Sequence, residues 1–386
     1  MARMKTTAPA SPTAKPPRRR AVQRARTASY LLWVLVALAA SVIVTRTYLE
    51  LTGYPQIGGG DLHIAHAIWG GLLLYAAALL PLVFVNNWAL TASAILNGVG
   101  AGLFIDEIGK FITRNNDYFY PPAAPLVYAF FLLSVLLFLY LRRTRRHDAR
   151  AELFRALEEL PDMVDGSLDA ADLARLEARL ATASAAPDPY VAQLGATLRG
   201  YVHHVGEDLE RPQPDWLGRV RARLSAWGRH FGQRKHRIAI VIMLLWGSLN
   251  ALVNVLTLVA VAIAPSLHDV SVIALLVTDN EARSVADVPW LVVRLTLESA
   301  AGLATAAAVV LLFLGREQRA ITLAVFAVTL WLTTVALLTF YLDQFGAMYG
   351  ALLQFASLMI LLTYQRWYLE ELPSAAATAP GSATQG

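Results

Sequence analysis

The chain has no cysteine among its 386 residues. That absence excludes disulfides, thiolate metal sites and cysteine nucleophiles, and leaves the redox compartment undecided. Charge is scarce too: 16% of residues are Asp, Glu, Lys or Arg, against about 25% in soluble domains. There is no Asn-X-Ser/Thr sequon, no P-loop and no G-x-S-x-G. No G-x-G-x-x-G stands between a strand and a helix either, so neither a phosphate cradle nor a serine-hydrolase elbow is signalled. The "GVGAG" at 98–102 lies inside an apolar run, where it has no phosphate-binding context.

What the chain does have is apolar sequence. It is 56% hydrophobic, with a mean hydropathy of +0.47. Runs of about 20 apolar residues suit one bilayer crossing, and eight are read: 29–48, 63–85, 89–112, 123–141, 238–263, 290–314, 319–341 and 346–366. The expected fold class is therefore all-α, a polytopic membrane protein of about eight transmembrane helices. Pro121 and Pro122 precede the fourth span. Pro289 opens the sixth, where a missing N–H costs nothing, and Pro81 is expected to kink or end the second.

Five segments follow from this pattern. Residues 1–27 are a basic arm with Arg18, Arg19, Arg20, Arg24 and Arg26 clustered, too poor in apolar residues to bury a core and expected to be disordered. Residues 28–141 form a first four-helix membrane unit, 142–236 a helical cytoplasmic insert, 237–368 a second four-helix unit and 369–386 a disordered tail. The small residues of "ALAAS" resemble a signal-peptidase site, but the length of the run and the Arg cluster read as an uncleaved anchor. The arm, "RRTRR" at 142–146, "RKHR" at 234–237, "GREQR" at 315–319 and Arg366 all fall on one side; Arg46, Lys110, Arg114 and Arg283 fall on the other. The positive-inside bias then makes both termini and the insert cytoplasmic, in a plasma (inner) membrane. The same bias accounts for the net charge of +5, so no nucleic-acid partner is expected; the partner is the lipid bilayer.

Within the insert, "DARAELFRALEEL", "LDAADLARLEARLA" and "PYVAQLGATLRGYVHHVGEDL" read as amphipathic helices, the second capped by Ser167 or Asp169. In "PDWLGRVRARLSAWGRHF", Trp216, Val220, Leu224, Trp227 and Phe231 make one apolar face against Arg219, Arg221, Arg223 and Arg229. That suits either a helix lying on an anionic leaflet or a plain linker. The insert is also a candidate surface for a cytoplasmic partner. His203 and His204 read as surface residues.

The halves share a local pattern. Phe104-Ile105-Asp106-Glu107-Ile108-Gly109 aligns with Tyr341-Leu342-Asp343-Gln344-Phe345-Gly346, at the outer ends of the third and seventh spans. This suggests a tandem 4+4 repeat in which the first copy holds the chemistry, since the second has Gln344 for Glu107.

Polar residues gather in the outer half. His63, His66 and Gly70 share one helix face. Gly98, Gly102 and Asp106 are spaced by four, a small-residue stripe that lets a neighbour approach and aims Asp106 at it; the expected neighbour is the helix of the two histidines. A charge at the bilayer centre costs about 2.5–3.5 kcal/mol, so such residues pair, face the interior or serve a site. Local pairing is available to Asp106 or Glu107 with Lys110, and to Arg294 with Glu298. The candidate pocket comprises Asp106 and Glu107 as catalytic carboxylates, His63 and His66 as ligands of a divalent metal such as zinc, and Lys110, Arg294, Glu298 and Asp343 around them.

At "HIAHAIWGG", "GVGAGLFIDEIGKFIT" and "NDYFY" the sequence resembles a group of uncharacterised prokaryotic multipass membrane proteins, with a His near the start of one span and a Gly-rich next span ending in L-x-x-D-E. The layout is also similar to that of VanZ-like proteins, which are associated with glycopeptide resistance, although the helix-start Asp-Lys and the Glu-x-x-Gln of that family are missing. The match covers residues 61–120. It implies no established activity, and it implies that His66, Asp106 and Glu107 belong to the motif.

Four functions stay open, and with them whether the protein is an enzyme. One is an outward-facing pocket that binds or modifies a lipid-linked or envelope molecule. Another is a metal-dependent intramembrane hydrolase with Glu107 as general base. The third is a proton-coupled transporter. The last is an assembly or sensory protein whose insert docks a partner.

Overall fold

The computed structural model describes residues 21–53, 65–143, 148–166, 168, 170–208, 232–263, 287–344 and 346–369. His63, Ser167, Asp169, Arg283, the 214–231 stretch and the residues beyond 369 lie outside them. The described residues contain helices and no strand. Among the described residues, eight helices are long and apolar enough to cross a membrane, one for each of the eight hydrophobic runs.

The first half contains α1 (Thr27–Thr52), α2 (His66–Val83), α3 (Asn87–Asp106), the short α4 (Ile108–Ile112) and α5 (Ala123–Arg143). The third helix ends six residues earlier than the apolar run. Glu107 adopts φ −88°, ψ 9° between α3 and α4, and its side chain is buried at this break. Pro81 lies inside α2, and the chain is extended by Phe84, as a proline without an N–H dictates. Leu72, Tyr75, Leu79 and Leu82 of α2 and Leu133, Leu136, Leu137 and Tyr140 of α5 are exposed. In a helix apolar all round, such faces belong to lipid.

Close backbone approach sets the positions of α1, α2 and α3. A Cβ on Gly98 would collide with the Val34 carbonyl, and one on Gly102 would lie 2.8 Å from Ser41 Cβ. The four-residue stripe therefore packs on α1, and not on the histidine helix that the spacing alone suggested. Ser41 Oγ donates to the Val99 carbonyl at 3.1 Å across the same seam. The histidine helix meets a different face of α3, where a Cβ on Gly70 would come within 2.7 Å of the Gly100 carbonyl.

The second half contains α9 (Gly232–Ile263), α10 (Val288–Phe313), α11 (Glu317–Leu330), α12 (Ala336–Leu342) and α13 (Gly346–Tyr364). Ile240, Leu244, Leu312, Ile321, Leu361 and Tyr364 form its main core. A π-turn, Trp331–Val335, joins α11 to α12 within one span. Such a turn displaces carbonyls from the regular ladder. Tyr128 Oη of α5 donates to one of them, Leu332 O, at 2.7 Å, and its ring stacks on Phe340 at 4.6 Å. Gln344 Nε2 also donates to Phe119 O at 3.2 Å. Both links join the two halves, and they place the exits of the third and seventh spans at one end of the bundle.

Among the described residues, 21–27 and those from 148 to 208 form a separate unit. Its helices are α6 (Ala149–Val164), α7 (Ala170–Ser184) and α8 (Pro189–Asp208), matching the three amphipathic stretches. Asp148 caps α6, accepting from Ala151 N at 2.6 Å, as a short acidic side chain does before a first turn. Leu153, Ala156, Met163, Leu176, Leu180, Ala183 and Val202 fill the core. The α6 carboxylates are held by arginines: Arg155 meets Glu152 at 2.6 Å and Arg179 meets Glu159 at 3.2 Å. Burial pushes the Glu159 carboxyl above its usual range, against the opposing pull of Arg179 and Arg26.

Candidate functional site

The third helix delivers two carboxylates side by side where it ends. Asp106 completes the Gly98–Gly102 stripe, so it faces α1 and meets Arg46 there. Arg46 Nε donates to Asp106 Oδ1 at 2.5 Å. The residues are 3% and 1% exposed. The other carboxylate oxygen, Asp106 Oδ2, accepts from Tyr118 Oη at 2.7 Å.

Tyr118 is brought in by the loop after α4. Asp117 N donates to Thr113 Oγ1 at 2.8 Å, Asp117 Oδ1 accepts from Phe119 N at 2.9 Å, and Asn116 takes φ 53°, a value Asn tolerates better than most residues. Gly109 lets the loop close: a Cβ there would lie 2.7 Å from Asp117 O. The Tyr118 ring then stands among three basic groups, with the Arg46 guanidinium 5.9 Å from its centroid, Lys110 Nζ 5.4 Å away and the His66 ring edge-on at 6.2 Å.

Glu107, 1% exposed, carries the second cluster. Its Oε1 accepts from Lys110 Nζ at 2.7 Å and lies 3.2 Å from His66 Nδ1. Its Oε2 is 3.5 Å from Ala67 N in the first turn of α2, where a negative charge complements the free N–H groups and the helix dipole. His66 Nε2 points at Asp106 Oδ2 from 3.4 Å, longer than a well-formed hydrogen bond. His66 thus bridges the two carboxylates. Its side chain and that of Lys110 are 20% and 21% exposed, with the carboxylates and Arg46 behind them. Neutral imidazole has one donor and one acceptor nitrogen. Between two carboxylates it satisfies both sides only when both nitrogens carry hydrogen or when a carboxyl holds the proton.

Of the residues read from sequence, Asp106, Glu107, His66 and Lys110 come together, and His63 lies outside the described residues. Arg294 and Glu298 do not join them. They pair with each other on α10 at 3.5 Å, and Trp331 Nε1 reaches Glu298 Oε1 at 3.5 Å. Asp343 is exposed and accepts from Gly346 N at 3.0 Å, capping α13. Its repeat counterpart Asp106 is buried; the shared motif therefore ends two helices alike but builds one charge network.

Arg46 and Tyr118 were not read as site residues. Arg46 was read as a topological charge on the outer side; Glu50, one turn on, is exposed and does not pair it away from Asp106. The signal that would have found it is the register of the glycine stripe, continued from Gly98 through Gly102 to Asp106 and read across to α1.

Among the described residues the donors do not converge on one point. The His66 nitrogens face different carboxylates, and each carboxylate already holds a cationic side chain. Among the described residues no group of three or more His, Asp or Glu is placed to hold an ion. Comparison of the chain with protein-family models, curated proteins and solved structures returns no match.

Proposed function

We propose that this multipass protein resides in the plasma membrane with both termini cytoplasmic. In this reading the His66–Lys110 edge of the network faces outward and binds the anionic headgroup of a lipid-linked or envelope molecule. The observation that carries it is the layering of the site: two partly exposed nitrogen-bearing side chains share one buried carboxylate oxygen, Glu107 Oε1. Glu107 fixes both in place, and Arg46 and Tyr118 hold Asp106 behind them. An incoming phosphate or carboxylate would take hydrogen bonds from Lys110 and His66 without displacing the buried pair.

The test is lipid retention. Wild type, His66→Gln and Lys110→Met are purified in mild detergent, and co-purifying anionic species are quantified by mass spectrometry. One charge-assisted contact is worth about 1.5–3 kcal/mol, so each variant should retain roughly tenfold to a hundredfold less. Identical profiles would sink the reading.

A second reading, proton-coupled transport, is favoured by the position of Glu298. It is the eleventh residue of a 26-residue span, about 15 Å along the helix at 1.5 Å per residue, and it faces the π-turn of the neighbouring span. Charged groups at that depth are typical of relays. Proteoliposome flux that ignores a pH gradient, in wild type and Glu298→Gln alike, would end it.

A further inference from the structure

The segment just before the first span is strapped to α6. Arg24 Nη1 meets Glu158 Oε1 at 2.8 Å, and Ala25 N donates to Glu158 Oε2 at 2.8 Å. Arg26 Nη2 meets Asp162 Oδ2 at 2.9 Å, and Arg155 Nε donates to the Gln23 carbonyl at 3.3 Å. Glu158 and Asp162 are one turn apart, so they form an acidic ridge that receives the basic turn at Arg24–Thr27. Ala25 is buried beneath it.

Both arginines are covalently tied to a membrane interface, because α1 begins at Thr27. They are also the more exposed partners of their ion pairs, at 56% and 36% against 16% and 9%. Exposed ion pairs are weak and screened by salt. The attraction of one arginine for an anionic lipid surface is of the same order. The ridge and the headgroups therefore compete for the same guanidinium groups on near-equal terms.

We propose that Arg24 and Arg26 exchange between the α6 ridge and anionic phospholipid headgroups, so that the lipid composition sets whether residues 23–26 stay bound to α6. The other charged groups at the ridge are Arg155 and Glu152, paired with each other, and Glu159, paired with Arg179. Arg155 and Glu159 also sense the arm, through the Gln23 carbonyl and through Arg26, and each keeps a counter-ion of its own on α6 or α7.

The amide of Ala25 is a direct reporter, since its acceptor is Glu158 itself. Hydrogen exchange of residues 21–27 and 149–164 is measured on the full chain in nanodiscs of phosphatidylcholine alone or mixed with phosphatidylglycerol. A nanodisc presents the same lipids on both faces, so orientation does not enter. The expected result is protection of Ala25 in phosphatidylcholine and severalfold faster exchange in the anionic mixture. Arg24→Gln/Arg26→Gln, which leaves the α6–α8 core untouched, should exchange fast in both. Exchange that is independent of lipid in wild type, or slower in the anionic mixture, overturns the proposal, as does full protection in the arginine variant.

Discussion

Arg46 and Asp106 are sixty residues apart in sequence and meet at 2.5 Å, with both side chains almost fully buried. Such a pair adds little net stability over an apolar pair of the same shape, but removing one partner strands a buried charge, at a cost of about 3–5 kcal/mol. Asp106→Asn should lower the unfolding free energy measured in a detergent titration by that order. Arg46→Met/Asp106→Asn should recover most of the loss. A double variant as unstable as the single one would show that the pair does more than neutralise itself.

The α1–α3 seam has no room for a side chain. Gly102→Val places carbon against Ser41 Cβ, 2.8 Å from even a first methyl, and overpacking of this kind costs about 1–3 kcal/mol or more. It should also move Arg46 off Asp106. Gly71, with nothing within 4 Å of an added Cβ, is the control: Gly71→Ala should leave the stability unchanged or raise it by about 0.5–1 kcal/mol. Thermal unfolding followed by size-exclusion chromatography separates the two outcomes.

Tyr128→Phe keeps the ring stacked on Phe340 and deletes one donor. The Leu332 carbonyl at the π-turn then loses a buried partner, which costs about 1–3 kcal/mol. The expected signature is a lower midpoint together with faster amide exchange confined to residues 331–336. An exchange increase spread over the whole bundle would argue against a local role for the bond.

In the insert, burial raises the Glu159 carboxyl. The folded state therefore binds a proton more readily than the unfolded chain, and this group's contribution is present below the ordinary carboxylate value and lost as pH rises through the raised one. Amide protection in α6 and α7, corrected for intrinsic rates, should increase as pH falls from neutral towards the carboxylate range. Glu159→Gln should flatten that trend. A pH trend that survives in the variant would assign it to another group.

The eight spans and three insert helices were legible because length and periodicity report directly on burial. Asp106, Glu107, His66 and Lys110 were legible as charges out of place in apolar sequence. The partners were harder to read. Arg46 had Glu50 one turn away, and local spacing always offers such a partner; the choice of Asp106 comes from a glycine seam that pairs two helices at a register no single helix encodes. Tyr118 depends on how a loop closes over Gly109. Arg294 and Glu298 were read into the same pocket because they too looked polar near one membrane face, and only packing separates them from it.

The sixty residues between Arg46 and Asp106 also have a meaning in time. A ribosome adds about 5–20 residues per second, so the arginine is made roughly 3–12 s before the carboxylate that neutralises it. During that interval the first helix carries a cation that the finished bundle hides. Its release into lipid is then expected to wait for the third helix, which makes the first three spans a unit of insertion rather than three successive ones.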